Sequence, residues 1–324
     1  MAKKSIKIVI PLLLGGFILY WVYRDFDFSH VQEVLLHATN WAWMFYSLLF
    51  GILSHLLRGY RWHQTLSPLG EHPRISNCID GIFVMYAANL VVPRSGEVFR
   101  CAMLDHYDRV PFAKALGTVI TERVVDVICM VGIALMAFLV QTRVFFTFFE
   151  QTGTKIPSLV NLITSPWFYV ALGCVAGILW LAVHLVRTLS YFERVKQTAF
   201  SIWRGIGTLK ELKSPWRYAL YTLLIWVCYY FHFYFTFYCF SFTAHLGMMA
   251  GLVMFVAGTV AVLVPTPNGA GPWHFAIITM MMLYGVSATD AGIYALIVHA
   301  VQTLLVILLG LYGWLHVMRV NRAS

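Results

Sequence analysis

Long apolar runs, many of them about the length of a membrane-spanning helix, are the feature that most limits how this chain can fold. Of its 324 residues, 60% are hydrophobic and only 11% are charged, against about 25% charged in an average globular protein. A soluble protein needs charged side chains to cover its surface, so this composition excludes a soluble enzyme, a disordered chain and a fibrous repeat. The chain is predicted to be an all-α polytopic membrane protein with about 6–8 transmembrane helices.

The polar segments between the apolar runs set the orientation. The runs cover residues 6–23, 41–57, 75–92, 115–140, 167–186, 217–242, 246–264, 273–286 and 291–317. Cytoplasmic loops carry an excess of Lys and Arg. Arg58 and Arg61 after the run 41–57 therefore predict a cytoplasmic loop, and both ends of the chain are basic. The N- and C-termini are therefore predicted to be cytoplasmic, in a multi-pass protein of the inner or cytoplasmic membrane. The stretch 187–217 combines apolar residues at helical spacing with many cations, which predicts a cytoplasmic amphipathic basic segment.

Two segments enter and leave the membrane on the same side by this charge argument. Residues 75–104 begin and end in the cytoplasm, whereas residues 245–286 begin and end outside. Each is therefore predicted to be a re-entrant or broken helical hairpin. Pro and Gly mark the two tips, at 93–97 and 265–272, since the backbone must leave the helical ladder in order to reverse.

These hairpins divide a single membrane domain, residues 1–324, into related halves. The first hairpin with its following helix covers 75–140, and the second hairpin with the last helix covers 245–317. The opposite orientations predict an inverted repeat. Inverted repeats with two broken hairpins that meet near the membrane midplane are typical of transporters.

Charged residues at membrane depth are the first group of candidate site residues. They are Arg94, Glu97, Arg100, Glu122, Arg123 and Asp126. A charge in the membrane needs a partner or water, and two interpretations satisfy that need. Internal pairing, such as Arg123 with Glu97, would hold the hairpin against the next helix. Alternatively, the arginines at the first tip line a polar cavity and bind the anionic headgroup of a lipid, since guanidinium groups bind phosphate bidentately.

A second group of candidates lies at the other tip. Asn268 is in the tip itself, His274 follows it, and His299 lies in the middle of the last apolar run. Each histidine is interpreted either as a hydrogen-bonded core residue or as part of a polar, proton-linked cavity. The spacing of the histidines and cysteines matches no metal-binding motif. No metal and no cofactor are therefore expected.

Four motifs resemble one known family. They are Arg58-Gly59-Tyr60-Arg61-Trp62, the first tip Pro93-Arg94-Ser95-Gly96-Glu97-Val98-Phe99-Arg100, the element Glu122-Arg123-Val124-Val125-Asp126, and the second tip Pro267-Asn268-Gly269-Ala270-Gly271. Together they are similar to the lysylphosphatidylglycerol synthase transmembrane region, the flippase-like domain of the multiple peptide resistance factor. The family often has Glu after the second tip and Arg in the last helix, where this chain has His274 and His299. Because the chain ends at Ser324, the resemblance implies lipid handling without the family's aminoacyl-transferase domain.

Three functional hypotheses follow. The leading one is a flippase or transporter that moves a lipid or lipid-linked molecule across the cytoplasmic membrane. The second is an integral-membrane lipid-modifying enzyme with Glu97 or Asp126 as its base, and the third is a non-catalytic membrane partner of a separate lipid synthase. The expected partners are membrane lipids that are anionic or carry phosphate. A homo-oligomer is a further alternative, and nucleic acid is not expected because cytoplasmic loops account for the net charge of +9.

Overall fold

The computed structural model describes residues 2–24, 26, 28–142 and 208–322, which fold into helices joined by short connections. In chain order the α-helices of these residues are α1 (Ala2–Tyr23), α2 (Ser29–Glu33), α3 (Trp41–Leu66), α4 (Ile75–Val91), α5 (Gly96–Asp108), α6 (Phe112–Val140), α7 (Pro215–Tyr234), α8 (Met248–Ala261), α9 (Pro272–Leu283) and α10 (Ala288–Arg322). The predicted run 167–186 and most of the basic segment 187–217 lie outside the described residues. The all-α class is confirmed.

Several helices have the length and composition of membrane spans. Among the described residues, Phe112–Val140, Pro215–Cys239 and Ala288–Asn321 are long and apolar enough to cross a membrane, and shorter apolar helices cover Pro11–Tyr23, Ile75–Val91 and Met248–Ala261. The outer face of α6 exposes large apolar side chains, including Leu135 and Leu139. Such a face suits contact with lipid rather than water. A polytopic membrane protein is therefore confirmed, while the number of spans stays a prediction.

Helix α3 is longer than its apolar run indicated. The sequence interpretation ended this run at Leu57 and placed Arg58 and Arg61 in a cytoplasmic loop, which is wrong. The helix continues through both arginines to Leu66, and they are only 3% and 0% exposed. Their charge is paired inside the protein instead of being solvated. The two arginines, whose charge predicted a loop, are therefore part of the helix.

Both halves contain a helix, a break, a shorter helix and then a long helix. In the first half these are α4, α5 and α6; in the second they are α8, α9 and α10. The breaks contain left-handed backbone, with φ of 64° at Arg94 and 49° at Asn268, followed by Gly269 and Gly271 at 73° and 93°. Glycine reaches such angles without steric cost. The shared order agrees with the predicted repeat, and its inversion across a membrane stays a prediction.

Small residues let the hairpin helices approach closely. A Cβ atom at Gly96, the first residue of α5, would lie 2.0 Å from the Met85 carbonyl oxygen of α4. A Cβ atom at Gly310 of α10 would lie 2.2 Å from the Cβ of Ala87 on the same α4. Such contacts are typical of membrane helices, which gain stability from close packing rather than from a hydrophobic drive. Helix α4 is therefore fixed between its own hairpin partner and the last helix of the other half.

Candidate functional site

Seven charged side chains form one ion-pair network between α3, α5 and α6. This arginine network consists of Arg58 and Arg61 on α3, Glu97 and Arg100 on α5, and Glu122, Arg123 and Asp126 on α6. Each of the three helices carries a different one of the sequence motifs. The first hairpin brings these motifs together, because α5 folds back and lies beside α3 and α6.

Glu122 is the centre of the network. Its side chain is fully buried, and its Oε2 lies 2.8 Å from Nη2 of Arg100 while its Oε1 lies 3.4 Å from Nε of Arg61. The Arg100 guanidinium also stacks over Trp62, with its Cζ 4.5 Å from the ring centroid. Trp62 is held in turn by a 3.0 Å hydrogen bond from its indole nitrogen to Thr118. The Arg100 guanidinium thus contacts both the Glu122 carboxylate and the face of the Trp62 ring.

Asp126, one helical turn further along α6, joins three arginines. Its Oδ1 lies 2.8 Å from Nη2 of Arg61, and its Oδ2 lies 3.1 Å from Arg58 and 3.2 Å from Arg123. Arg58 also donates from Nη1 to the hydroxyl of Tyr229 on α7, at 3.2 Å. The bond to Tyr229 connects the network to a fourth helix, α7.

The rim of the network is the pair predicted from the sequence. Nε of Arg123 lies 3.3 Å from Oε1 of Glu97, and the Glu97 Oε2 accepts from Nε of Arg100 at 2.8 Å. The side chain of Arg123 is 42% exposed and that of Glu97 is 22% exposed, whereas Arg61 and Arg100 are fully buried. Arg123 and Glu97 are therefore the members of the network that an outside molecule reaches first.

Cations outnumber anions in this network. Within the described residues, four guanidinium groups, which stay charged at all relevant pH values, face three carboxylates. Two of its buried guanidinium nitrogens, Nε of Arg58 and Nη1 of Arg100, have neither a hydrogen-bond partner nor an ion-pair contact among these residues. Buried polar groups normally find partners, and an unmatched charge at membrane depth is costly. The arrangement is chemically suited to an additional anion.

The second-half candidates form a separate group, the second-tip cluster of Asn268, His274, His299 and Thr303. Nε2 of His299 donates to the Asn268 carbonyl at 3.1 Å, and the Asn268 side-chain amide donates to Thr303 at 2.9 Å. The Gly271 N–H donates to Nδ1 of His274 at 3.4 Å. The two imidazole rings have their centroids 4.5 Å apart, so α9 and α10 meet through a pair of histidines.

A cavity of about 480 Å³ opens beside this cluster. Asn268, His299 and Thr303 supply its polar wall. Its apolar wall includes Leu304 and Ile307 of α10 together with Leu90, which comes from α4 in the other half. The cavity is therefore shared by the two halves and is lined by a few polar side chains among apolar ones.

Arg94 links the first tip to the second hairpin. Its Nη2 donates to the carbonyl of Leu263, near the end of α8, at 2.6 Å. The structure thus places Glu97, Arg100, Glu122, Arg123 and Asp126 together, and places Asn268, His274 and His299 together. Arg94 contacts the second hairpin and so joins the first tip to the part of the chain that carries the second cluster.

Sequence reasoning missed Arg58 and Arg61 as site residues. Their three-residue spacing puts both on one helix face, and this spacing, directly after an apolar run, was the available signal. It also missed Tyr229, because an aromatic residue in a very aromatic helix gives no separate signal. Among the described residues, no three His, Cys, Asp or Glu side chains converge as metal ligands would.

The fold and these clusters define an all-helical, multi-pass membrane protein with broken hairpins and a buried ionic network. The chain belongs to the family of the lysylphosphatidylglycerol synthase TM region, whose model matches residues 8–310, which confirms the resemblance. It is also similar to glycosyltransferase AglD of Haloferax volcanii, with 28% identity over 132 residues, or 40% of this chain and 21% of that protein. The chain thus matches only about a fifth of the length of this curated relative.

Proposed function

We propose that this protein translocates a phosphate-bearing lipid, or a lipid-linked molecule, across the cytoplasmic membrane, with both of its termini in the cytoplasm. The observation that carries the proposal is the cation excess of the arginine network and its opening at Arg123 and Glu97. The family is named for a synthase of a phosphatidylglycerol derivative, and phosphatidylglycerol is an anionic phospholipid. A phosphate would supply the negative charge that the described network lacks.

The geometry suits recognition of phosphate. Arginine binds phosphate through two parallel N–H groups, and Arg123 is exposed enough to turn one edge outward while Asp126 keeps hold of its Nη2. Deeper in, Nη1 of Arg100 is buried and has no partner among the described residues. A headgroup that displaces Glu97 from the rim reaches both Arg100 and Arg123. The Glu97–Arg123 ion pair thus closes the site until a lipid phosphate replaces the Glu97 carboxylate.

The enzyme alternative is less well supported. Its candidate bases, Glu97 and Asp126, are each ion-paired with two or more guanidinium groups. These ion pairs engage the carboxylate oxygens that a general base needs for the proton of its substrate. Paired in this way, the carboxylates position arginines rather than abstract protons.

The test is lipid movement in reconstituted vesicles. Arg123→Gln and Arg100→Gln should slow the movement of fluorescent phosphatidylglycerol by about tenfold or more, because a hydrogen bond to a charged group contributes about 1.5–3 kcal/mol. Arg123→Lys keeps the charge but loses the bidentate geometry, so it should fall between Arg123→Gln and wild type.

Arg217→Gln is the matched control, since Arg217 is an exposed cation at the start of α7. It should leave the rate almost unchanged. A lipid product of altered mass after incubation with lipid extract would support the enzyme alternative. Equal rates for wild type and both network variants would refute the proposal.

A further inference from the structure

We propose that His299, paired with His274, binds a proton at the second tip, and that this proton lets the second-tip cluster receive an anionic lipid phosphate. The inference rests on the proposed translocation and adds its coupling ion. The arginine network holds fixed charges, whereas the second-tip cluster consists of groups that are neutral until a histidine is protonated. The second tip would thus bind an anion only together with a proton.

The hydrogen bonds of His299 leave one defined position for the proton. A carbonyl only accepts, so the 3.1 Å contact with Asn268 requires hydrogen on Nε2 of His299. The lone pair is therefore on Nδ1, where it accepts a long hydrogen bond of 3.5 Å from the Thr303 hydroxyl. His299 also lines the cavity of about 480 Å³. A proton from that cavity adds to Nδ1 and breaks only one long hydrogen bond.

His274 is the less suitable acceptor of the two. It is 3% exposed, and its Nδ1 already accepts the N–H of Gly271 at the start of α9. With ring centroids 4.5 Å apart, two imidazolium cations would repel each other strongly. The pair therefore takes one proton, on His299, while His274 keeps the backbone of the tip in place.

The groups around the pair make proton binding depend on an anion. Helix α1 contributes Tyr23, whose ring lies 5.7 Å from that of His274 and whose hydroxyl donates to the Gly292 carbonyl. The first tip contributes the cation Arg94, bound to the Leu263 carbonyl. The sequences of α1, α8 and α9 contain no Asp or Glu.

Acidic residues on the remaining neighbours are engaged elsewhere. On α10, Asp290 accepts from Ser287, and on α4, Asp80 is paired with His316. Glu97, behind the first tip, is bound to two arginines. An imidazolium at His299 thus lacks a carboxylate counter-ion among these described elements, and the cation Arg94 is bound to the hairpin that contacts it. Anion binding and proton binding should each strengthen the other by the same factor.

The position of His299 matches that of Arg123 in the other half. Arg123 is the twelfth residue of α6, and His299 is the twelfth residue of α10. Each meets a side chain from the preceding short helix, Glu97 on α5 and His274 on α9. The first half thus has an arginine, which is always charged, where the second half has a histidine that is charged only after it binds a proton.

Histidine nitrogen NMR on the labelled protein in nanodiscs tests the coupling without any transport. The His299 signals are assigned by their loss in His299→Gln. Adding phosphatidylglycerol to phosphatidylcholine nanodiscs should move the His299 titration to higher pH, and Arg94→Gln should reduce that shift. His316, on the same helix and paired with Asp80, is the internal control. If the His299 titration is the same with and without phosphatidylglycerol, the inference is wrong.

Transport at different pH values supplies the second arm. The rate for wild type should rise several-fold on acidification, His299→Gln should be slow at every pH, and His299→Arg should lose the pH dependence. His316→Gln should behave as wild type. A wild-type rate independent of pH contradicts the inference alone. Absence of lipid movement in wild type, with a lipid-sensitive His299 titration, would instead refute the proposed translocation and leave the proton site standing.

Discussion

Replacing Glu122 by glutamine should be among the most destabilising isosteric changes in this protein. Glutamine keeps the volume of the side chain but removes the charge that faces Arg100 at 2.8 Å and Arg61 at 3.4 Å, both fully buried. The described network would then hold four guanidinium groups against two carboxylates. Removing one partner of a buried ion pair costs about 3–5 kcal/mol, because the other charge stays buried without compensation. Unfolding in mixed detergent micelles, followed by tryptophan fluorescence, should show a loss of this size.

Glu71→Gln provides the matched control. Glu71 pairs with Lys114, but these side chains are 19% and 31% exposed, so water compensates for the lost partner and the expected cost is about 0–1 kcal/mol. The double variant Glu122→Gln with Arg100→Gln should recover part of the loss, with a coupling energy of about 0.5–3 kcal/mol. If Glu122→Gln costs no more than Glu71→Gln, burial does not determine the strength of this network and the reasoning is wrong.

Three further predictions concern the rim, the helix packing and the orientation. Arg123→Ala should lower the unfolding free energy in detergent, and adding Glu97→Gln should restore part of it, since the two side chains pair at 3.3 Å; strictly additive effects would argue against a shared network. Gly310→Ala should cost about 1–3 kcal/mol by overpacking, and Ala87→Gly in the same chain should relieve it, because the new Cβ would lie 2.2 Å from that of Ala87. A cysteine at the exposed position of His106 should react with impermeant reagents only from the cytoplasmic side, and labelling from outside would contradict the proposed orientation.

The helices and both breaks could be predicted from the sequence because their signals are local. An apolar run of sufficient length predicts a helix, and Pro with Gly predicts where it is interrupted. The predicted run 75–92 became α4, Ile75–Val91, and the predicted run 115–140 became α6, Phe112–Val140. The error at α3 has a physical reason. Charge ends an apolar run in the sequence, but it does not end a helix whose arginines find carboxylates on other helices.

Five of the seven members of the arginine network could be named from the sequence, but most of their contacts could not. The rim pair of Arg123 and Glu97 could be inferred because each needs a partner at membrane depth. That Glu122 would bind Arg61 and Arg100 together could not be inferred, since it depends on how three helices pack around one carboxylate. Side chains brought together by packing between distant segments give no periodic signal in the sequence.

The two clusters differ in the kind of charge they can offer, and this difference follows from their residues. Guanidinium groups do not lose their protons in proteins, so the arginine network stays cationic and must hold carboxylates to be stable in a membrane. Imidazole groups can be neutral, so His274 and His299 pack at 4.5 Å and need no counter-ion. Arg94 belongs to the first tip, carries a permanent charge and binds the second hairpin. It therefore connects the half that offers permanent cations to the half whose histidines become cationic only when they are protonated.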